Sequence, residues 1–272
     1  MGGIPGKYEE YGGGEKSMSI SVVIIAFNEE NNLPRCLNSV VWADEIIVVD
    51  SGSTDKTREI SENAHAKVFD IVWQGFGHAK SFGVNQAKGK WILSIDADEE
   101  ISPQLAEEIQ SVTKNPPQCD GHFISRKTMF LGRWIYHCGW RPDLNLRLFV
   151  KGKGQFDDSI VHETVILKGK TGILKGELLH YSYPDIDVYL KKLALYTLLG
   201  AKKAYLSGKR ATIFDLTLRP VLAFVKFYFV KQGFRDGWRG LLISALSSVA
   251  ALIKYARLKR LQEQGKADKE IY

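Results

Sequence analysis

The sequence predicts an α/β fold, with a mostly parallel sheet covered by helices on both faces and followed by a basic helical region. Between Ile20 and Asp96, strand-like runs alternate with helix-like segments at short intervals, which is the order of βαβ units. The runs at 20–26 and 45–50 are apolar at almost every position, as strands buried on both faces are. These two observations together favour a parallel sheet.

The predicted elements follow one another regularly in the first half of the chain. Ser51 begins a turn in which Ser53 or Thr54 should cap the next helix, and Ser102 should cap a helix that has Pro103 at its first position. Strands are predicted at 20–26, 45–50, 67–73 and 90–96. Helices are predicted at 32–41, from the turn at 51–55 to about 63, at 77–87 and from 103 onward.

The pattern changes after Pro116-Pro117. Short strand-like pieces separated by Gly and Pro predict a smaller mixed sheet, at 121–126, 144–150, 163–167 and 177–183. We therefore divide the chain into a flexible tail or expression-vector remnant (1–17, with Met18 as the natural start), an α/β domain (18–185) and a basic amphipathic helical region (186–272).

Composition excludes general disorder, because 44% of the 272 residues are hydrophobic and 25% are charged. The three cysteines, Cys36, Cys119 and Cys138, are widely spaced and form neither a zinc-ribbon nor a redox motif. They are typical of free, buried thiols in a reducing cytoplasm.

Charge is distributed unevenly along the chain. Residues 190–272 hold 17 Lys and Arg against five Asp and Glu, a net charge of +12, whereas the whole chain carries +6. This asymmetry indicates an anionic partner for the C-terminal helices. Aromatic residues interleaved with Arg219, Lys226 and Lys231 favour an anionic membrane surface, and nucleic acid is disfavoured because no reader motif accompanies the charge.

A helical cap with a solvated basic face is an equally good interpretation of this region. The longest uncharged run, at 240–253, has 14 residues, fewer than the ~18 that cross a bilayer. The sequence therefore predicts peripheral rather than spanning contact with a membrane.

Asp96 and Asp98 are the strongest candidates for chemistry. They follow a predicted buried strand and lie two positions apart on a segment expected to be extended, so that both carboxylates should project to one side. Such a pair can hold Mg²⁺ or Mn²⁺ through oxygen and so neutralise a diphosphate. Asp185 and Asp187 have the same spacing, but we expect them only to open a surface helix.

Two further residues lie near the same predicted edge, where ligands of parallel sheets bind. Asp50 ends a strand and could accept a hydrogen bond from a base or ribose, and Gly52 would let the turn approach a ligand closely. Lys80 could pair with a phosphate, although alone it reads as a solvated lysine.

Four segments in order resemble the conserved blocks of family-2 glycosyltransferases: Ser21–Glu30, Val48–Asp55, Gly77–Gly83 and Ile95–Glu99. Three later segments resemble the branch that contains lipopolysaccharide core glucosyltransferases: Trp140–Phe149, Val161–Glu163 and Leu179-His180. The resemblance implies a GT-A (Rossmann-like) nucleotide-sugar fold, with residues 18–185 as the catalytic domain, and inversion at the anomeric carbon of a UDP-sugar.

The resemblance also implies roles for individual residues. Lys80 stands where the family commonly has an arginine near the nucleotide, which keeps the charge but loses the bidentate fork. Asp98 would ligate Mg²⁺ or Mn²⁺ directly, Asp96 would face the ribose and metal, and Ala97 would contact the nucleotide sugar. His180 could complete the metal site or touch the diphosphate, although a lone histidine is more often a satisfied structural residue. The nucleoside would be held by Ala26, Phe27, Asn28, Glu29, Asp50, Ser51 and Gly52.

An inverting transfer needs a base for the acceptor hydroxyl. Glu163 is our candidate by that resemblance, with Asp158 second, although a glutamate bonded to a backbone turn fits the sequence equally well. Arg141 and Arg147 could contact an anionic acceptor, and Arg147, in an alternating strand, could equally be a surface or ion-paired residue.

Three functions remain open on the sequence. The leading one is transfer of a hexose, glucose by that resemblance, to a lipopolysaccharide-core or other lipid-linked acceptor at the inner face of the cytoplasmic membrane. The others are sugar transfer to a polyprenyl phosphate and an inactive nucleotide-binding scaffold. Near-normal turnover after Glu163→Gln would favour the phosphate acceptor, which needs no strong base. Metal-dependent donor hydrolysis would exclude the scaffold.

Overall fold

The computed structural model describes residues 19–114, 118–157 and 164–270, so the predicted tail at 1–17 lies outside the described residues. The strands are β1 (Ile20–Ala26), β2 (Glu45–Asp50), β3 (Lys67–Asp70), β4 (Trp91–Asp96), β5 (Glu99–Ile101), β6 (Gly121–Phe130), β7 (Arg133–Trp134), β8 (Leu144–Val150), β9 (Gly154–Phe156), β10 (Val165–Leu167) and β11 (Thr171–Tyr183). The helices are α1 (Leu33–Asn38), α2 (Thr57–Asn63), α3 (Phe76–Gln86), α4 (Pro103–Lys114), α5 (Ile186–Leu206), α6 (Ile213–Val225), a π-helix (Lys226–Val230), a 3-10 helix (Gly233–Asp236) and α7 (Gly237–Glu270).

One large mixed sheet organises the described chain, and it confirms the predicted fold class. Its strands lie in the order β3-β2-β1-β4-β8-β6-β11-β5, with β7 paired to β6. The first four strands are parallel, whereas β8 is antiparallel to both β4 and β6. The prediction of a separate, smaller sheet is wrong for β6, β8 and β11, because β8 pairs directly with β4 and so extends the same sheet.

Helices cover both faces of the sheet, as the buried strands predicted. Along β1, Val22 and Ile24 point into one apolar layer with residues of α1 and α4, and the intervening Val23 and Ile25 point into the other with residues of α3. Each of these side chains is almost fully buried, which stabilises the fold by about 1.5–3 kcal/mol per residue.

Local hydrogen bonds explain why one predicted cap is absent. Helix α2 begins at Thr57, with Lys56 as its N-cap residue and no side-chain cap hydrogen bond. The Ser53 hydroxyl instead donates to Asp50 Oδ1 at 2.6 Å and accepts from the backbone N–H of Asn28 at 2.9 Å. The serine therefore fastens two loops together rather than a helix end. By contrast, the predicted opening of a helix by Asp185 is confirmed, since its Oδ1 accepts from Val188 N at 2.8 Å.

Glu45 anchors the edge of the sheet where β1 and β2 begin. Its carboxylate accepts from the Ser21 hydroxyl, from Lys88 N at 2.7 Å and from Lys67 Nζ at 2.5 Å. Although burial raises the pKa of Glu45, these partners outweigh burial and leave the pKa below its ordinary value. The ionised form is therefore the one that the folded state prefers.

Changing Glu45 to glutamine should lower the free energy of unfolding by about 1–2 kcal/mol at pH 7, because charged acceptors bond more strongly than amides. A lowered pKa in the folded state gives stability that is present above about pH 4.3, the ordinary value, and is lost as pH falls through the folded pKa. Urea unfolding at pH 7 and in acid should thus show the wild-type advantage closing on acidification. Glu59→Gln, on the exposed face of α2, is the matched control and should change little; a pH-independent gap would contradict this account.

The C-terminal helices are fastened to the α/β domain by specific contacts. Asp236 accepts from the backbone N–H of His137 at 2.8 Å, and the Arg239 guanidinium donates to Leu131 O at 2.8 and 3.0 Å. Ile243 of α7 is fully buried in an apolar cluster with residues of β6 and the following loop. Helix α7 also packs along both α5 and α6.

The segment Gly233–Gln264 is long and apolar enough to cross a membrane. Its most apolar stretch of 18 residues has a mean hydropathy of 1.5, and 17% of that stretch is buried inside the protein. This segment was not predicted from the sequence because only uninterrupted uncharged residues were counted there, whereas a membrane-spanning stretch can contain two charged residues. Core helices of soluble proteins pass the same test, so this property alone assigns no location.

The three cysteines are free, as predicted, and two of them, Cys36 and Cys138, are buried.

Candidate active site

A cleft of about 890 Å³ opens at the carboxyl ends of β1 and β4, the edge at which parallel sheets bind ligands. The strand register aligns these ends, with Ala26 beside Asp50 and Ile25 beside Asp96. Ten of the predicted site residues line the cleft: Ala26, Phe27, Glu29, Ser51, Lys80, Asp96, Ala97, Asp98, Arg147 and His180.

The loops after β1 and β2 form one wall of the cleft and are joined to each other by hydrogen bonds. Asn28 adopts a left-handed backbone (φ 53°), and its side-chain oxygen accepts from Thr54 N at 2.8 Å. The Glu29 N–H donates to Thr57 Oγ1 at 2.8 Å. Phe27 lines the cleft and is 56% exposed. Burial in the cleft wall raises the pKa of Glu29, outweighing its hydrogen bond from Asn32.

Asp50 supports this wall from below rather than lining the cleft. Its carboxylate is buried, and Oδ1 accepts from both the N–H and the hydroxyl of Ser53, at 3.0 and 2.6 Å. Gly52 takes φ +93°, a conformation that side chains rarely adopt, and so allows the tight turn. The structure brings Asp50, Gly52 and Asn28 together around the cleft-lining Ser51.

Asp96 is held between two cations at the floor of the cleft. Lys80 Nζ lies 2.8 Å from Asp96 Oδ1, and Arg147 Nη2 lies 3.1 Å from Oδ2. Lys80 is only 2% exposed and Arg147 only 7%. Although burial raises the pKa of Asp96, Lys80 and Arg147 outweigh it and hold the pKa well below its ordinary value. Asp96 is therefore ionised throughout the range in which proteins work.

A second buried carboxylate, Glu99, extends this network. Its Oε1 pairs with Arg147 at 2.9 Å and Arg126 at 3.4 Å, while Oε2 accepts from the backbone N–H of Asp96 at 2.8 Å. Arg126 also forms an ion pair with Asp143, in which Nε lies 2.8 Å from Oδ2. Each buried charge thus has an opposite partner, which is the condition for charges to be tolerated away from water.

Asp98 has different partners from Asp96. Ala97 and Asp98 form a turn between β4 and β5, so the prediction that both aspartates share an extended segment is wrong. The turn occurs because β5 reverses at once to pair with β11. That pairing places His180 Nε2 3.2 Å from Asp98 Oδ2, with Lys192 Nζ 3.8 Å from the same oxygen.

The electrostatic surroundings keep Asp98 ionised. Burial raises its pKa, but His180 and Lys192 outweigh burial and leave the pKa below its ordinary value. Among the described residues, no group of three or more His, Cys, Asp or Glu side chains converges on one point. Asp98 supplies a carboxylate oxygen, the donor that Mn²⁺ and Mg²⁺ prefer, and substrate phosphates and water would complete the shell. His180 adds a ring nitrogen beside that oxygen.

Comparison with known proteins decides the family of this chain. The model of "Glycosyl transferase family 2" matches residues 21–167, which hold β1–β4, the Asp96–Asp98 turn and Arg147.

The chain belongs to glycosyltransferase family 2.

Relatives of this family-2 enzyme match over most of its length. The lipopolysaccharide core biosynthesis glycosyltransferase LpsC of Rhizobium meliloti is 30% identical over 89% of this chain and 92% of its own. An uncharacterized glycosyltransferase of Rickettsia typhi is 32% identical over 89% of this chain and 87% of its own. Among solved structures, residues 1–349 of Staphylococcus aureus TarS with UDP-GlcNAc align with a TM-score of 0.49 and 16% identity, covering 91% of this chain and 92% of that one.

Several predicted residues of this glycosyltransferase lie elsewhere than expected. Arg141 pairs with Glu177 and covers the ring of Tyr136 at 5.4 Å, and it is not among the described residues that line the cleft. Arg147 lines the cleft but is bound to Asp96 and Glu99, which is the ion-paired alternative rather than an open acceptor site. Glu163 and Asp158, the candidate bases, lie outside the described residues.

The cleft also contains residues that sequence reasoning missed. Helix α5 contributes Lys192 and Tyr196, and Lys192 is steadied by a 2.9 Å bond to the Ser182 hydroxyl. At the opposite rim, Trp73 and Phe76 meet edge to face with centroids 4.8 Å apart. Phe76 stands between Gly75 and Gly77 shortly after a strand, which is a usable sequence signal for that residue. Nothing in the sequence pattern of α5 distinguishes Lys192 from Lys191.

Proposed function

We propose that this glycosyltransferase is metal-dependent and inverting. It transfers a hexose from a UDP-sugar to a lipopolysaccharide-core or other lipid-linked acceptor, and glucose is the hexose that we propose first. The observation that carries the proposal is the Asp98–His180 pair, 3.2 Å apart in a cleft of suitable size. The printed name of LpsC, a core-biosynthesis enzyme related over almost its whole length, supports the acceptor class. In this proposal residues 18–185 are the catalytic domain, and the enzyme works at the inner face of the cytoplasmic membrane.

Asp98 and His180 are the residues that would hold a Mn²⁺ or Mg²⁺ ion. When bound, that ion supplies positive charge to the diphosphate that leaves the sugar. Asp96 has a different part, because Lys80 and Arg147 already occupy its two oxygens. It fixes the position of the turn that carries Asp98, and its network keeps the floor of the cleft rigid.

The other walls of the cleft account for donor binding and for the leaving group. Phe27 offers an exposed ring for the base, with Ser51 and Glu29 beside it. Lys192 lies where a second cation can meet the diphosphate, 3.8 Å from Asp98. In the transfer itself the acceptor oxygen attacks the anomeric carbon, the bond to the diphosphate breaks, and Glu163 takes the acceptor proton in our proposal.

Lys192→Met should lower kcat/KM for the donor about 10- to 100-fold, since it removes one preorganised charge aimed at the leaving group. The change should be largest in kcat, because the negative charge develops in the transition state. Lys191→Met, on the exposed side of the same helix turn, is the matched control and should stay within twofold. Equal values of kcat/KM for the two variants would show that Lys192 does not act on the leaving group. Steady-state release of nucleoside diphosphate measures both.

A panel of nucleotide sugars tests the proposed function as a whole. We expect release of UDP from a UDP-hexose that requires Mn²⁺ or Mg²⁺, stops with EDTA and resumes when metal is returned. Lipopolysaccharide-core acceptors should then accelerate release and yield a product of inverted anomeric configuration by NMR. Donor turnover indifferent to EDTA, or a product of retained configuration, would contradict the proposal.

A further inference from the structure

Large apolar side chains are exposed along the C-terminal helices. Within the described residues 213–241, eleven of them are each at least 40% exposed to solvent. They lie on α6, on the π-helix that continues it, on the 3-10 helix that follows and on the first turns of α7. We call these eleven residues the apolar ridge; it includes Leu218, Val221, Leu222, Val225, Phe229 and Val230.

The ridge is continuous rather than scattered. Leu218, Val221, Leu222 and Val225 recur at intervals of three or four residues and so share one face of α6. Beyond them, the ring of Tyr228 contacts the rings of Phe224, Phe229 and Phe234, with centroids 5.3, 5.0 and 6.2 Å apart. A contiguous exposed apolar surface of this kind marks an interaction site in a protein.

The charges around the ridge have one sign. Residues 209–241 contain seven Lys and Arg and only two acidic residues, Asp215 and Asp236. Both acids are buried, 6% and 4% exposed, and each is engaged: Asp215 with Arg219 at 2.6 Å and Asp236 with the backbone N–H of His137 at 2.8 Å. The solvent-facing charges beside the ridge are therefore cations, among them Lys226, Lys231 and Arg235.

We propose that the apolar ridge inserts into the interfacial layer of an anionic phospholipid membrane while the flanking cations bind headgroup phosphates. An apolar face bordered by Lys and Arg matches such a surface in both hydrophobicity and charge. A second copy of the chain matches it poorly, because self-association would bring two sets of like charges together.

In this proposal α7 does not cross the membrane, because contacts near its start and farther along hold it to the rest of the chain. Arg239 near its start donates to Leu131 O, and Ile243 is buried against Cys138 and Phe130 of the α/β domain. A helix that crossed the bilayer would lose these contacts. Farther along, Leu258 is fully buried in a cluster with Ala201 of α5.

The ridge is linked to the cleft through α5. That helix packs on α7 and presents Lys192 and Tyr196 to the cleft. Insertion of the ridge would therefore fix the orientation of the cleft relative to the bilayer. The consequence for acceptor access rests on the proposed function, whereas the membrane binding itself does not.

The test is co-sedimentation of the full chain with vesicles of phosphatidylcholine alone and of phosphatidylcholine mixed with phosphatidylglycerol. The wild type should bind the mixed vesicles more tightly, and added salt should weaken that binding. Val221→Glu with Val225→Glu should reduce affinity at least tenfold, since each buried valine contributes about a tenfold factor. Ile173→Glu, an equally drastic change at an exposed residue of β11, should have no effect. Lys226→Gln and Lys231→Gln should each cost about fivefold on anionic vesicles.

Release of nucleoside diphosphate without vesicles should be the same in the Val221→Glu, Val225→Glu variant and the wild type, so that failure of the membrane proposal and of the proposed function are separable. Four results would overturn the proposal: no wild-type sedimentation with anionic vesicles, equal binding to neutral vesicles, unchanged binding by the ridge variant, or resistance of the bound protein to alkaline carbonate. A wild-type dimer that the ridge variant dissociates, without vesicle binding, would assign the surface to self-association instead.

Discussion

Replacing Asp98 with asparagine should lower kcat/KM for sugar transfer about a thousandfold, because in the proposed function Asp98 holds an ion that stabilises several kcal/mol of transition-state charge. Asparagine keeps the shape of the side chain but not its charge. The 3.2 Å contact with His180 and the 3.8 Å contact with Lys192 would both lose their anion. Steady-state release of nucleoside diphosphate over a Mn²⁺ titration measures the effect, and the activation midpoint should move to higher metal concentration.

Two companion variants make the interpretation specific. Asp187→Asn changes the second aspartate of the other Asp-x-Asp sequence, in the exposed first turn of α5, and should leave the rate within twofold. His180→Ala should resemble Asp98→Asn, and the double variant should lose little more than either single one, because residues that act as a unit are not additive. An Asp98→Asn enzyme that keeps both its rate and its metal midpoint would show that Asp98 is not a ligand.

The partnership of Asp98 and His180 shows how far the sequence could lead. The positions of Asp50 and Asp96 at one edge were predictable, because parallel strands bring their carboxyl ends together. Strand β5 has only three residues and no signal of its own, yet its pairing with β11 brings Asp98 to His180. Pairing between distant strands depends on the whole sheet, so the residues alone could suggest the histidine only through family resemblance.

The helical wall of the cleft was beyond the reach of pattern reasoning for a similar reason. Lys192 follows Lys191 in a basic helix, and the choice between them depends on how α5 packs against Ser182 and Tyr183. Glu99 was likewise hidden within an acidic run, because its complete burial, and not the composition of the run, distinguishes it from the half-buried Asp98 and Glu100. Tertiary packing assigns these roles, and packing is the information that a single sequence states least directly.

Arg147→Met should reduce the free energy of unfolding by about 3–5 kcal/mol, the usual result of removing one partner from a buried ion pair. Arg147 lies against both Asp96 and Glu99, at 3.1 and 2.9 Å; Arg147 and Asp96 line the cleft, and Glu99 is buried. Methionine fills similar volume but leaves the two carboxylates with too little compensating charge. Urea unfolding at pH 7 should show the loss, and transfer activity should fall with it because Asp96 holds the turn that carries Asp98.

Arg58→Met provides the contrasting case, because Arg58 also binds two carboxylates, Asp70 at 2.6 Å and Glu62 at 2.9 Å, but on the solvated surface. Its loss should leave stability almost unchanged, since water and salt screen exposed pairs. Adding Glu99→Gln to Arg147→Met should recover part of the lost stability by removing one of the stranded charges. If Arg147→Met were no more damaging than Arg58→Met, the buried network would contribute nothing to stability, and the rigid floor that it gives the cleft would need another explanation.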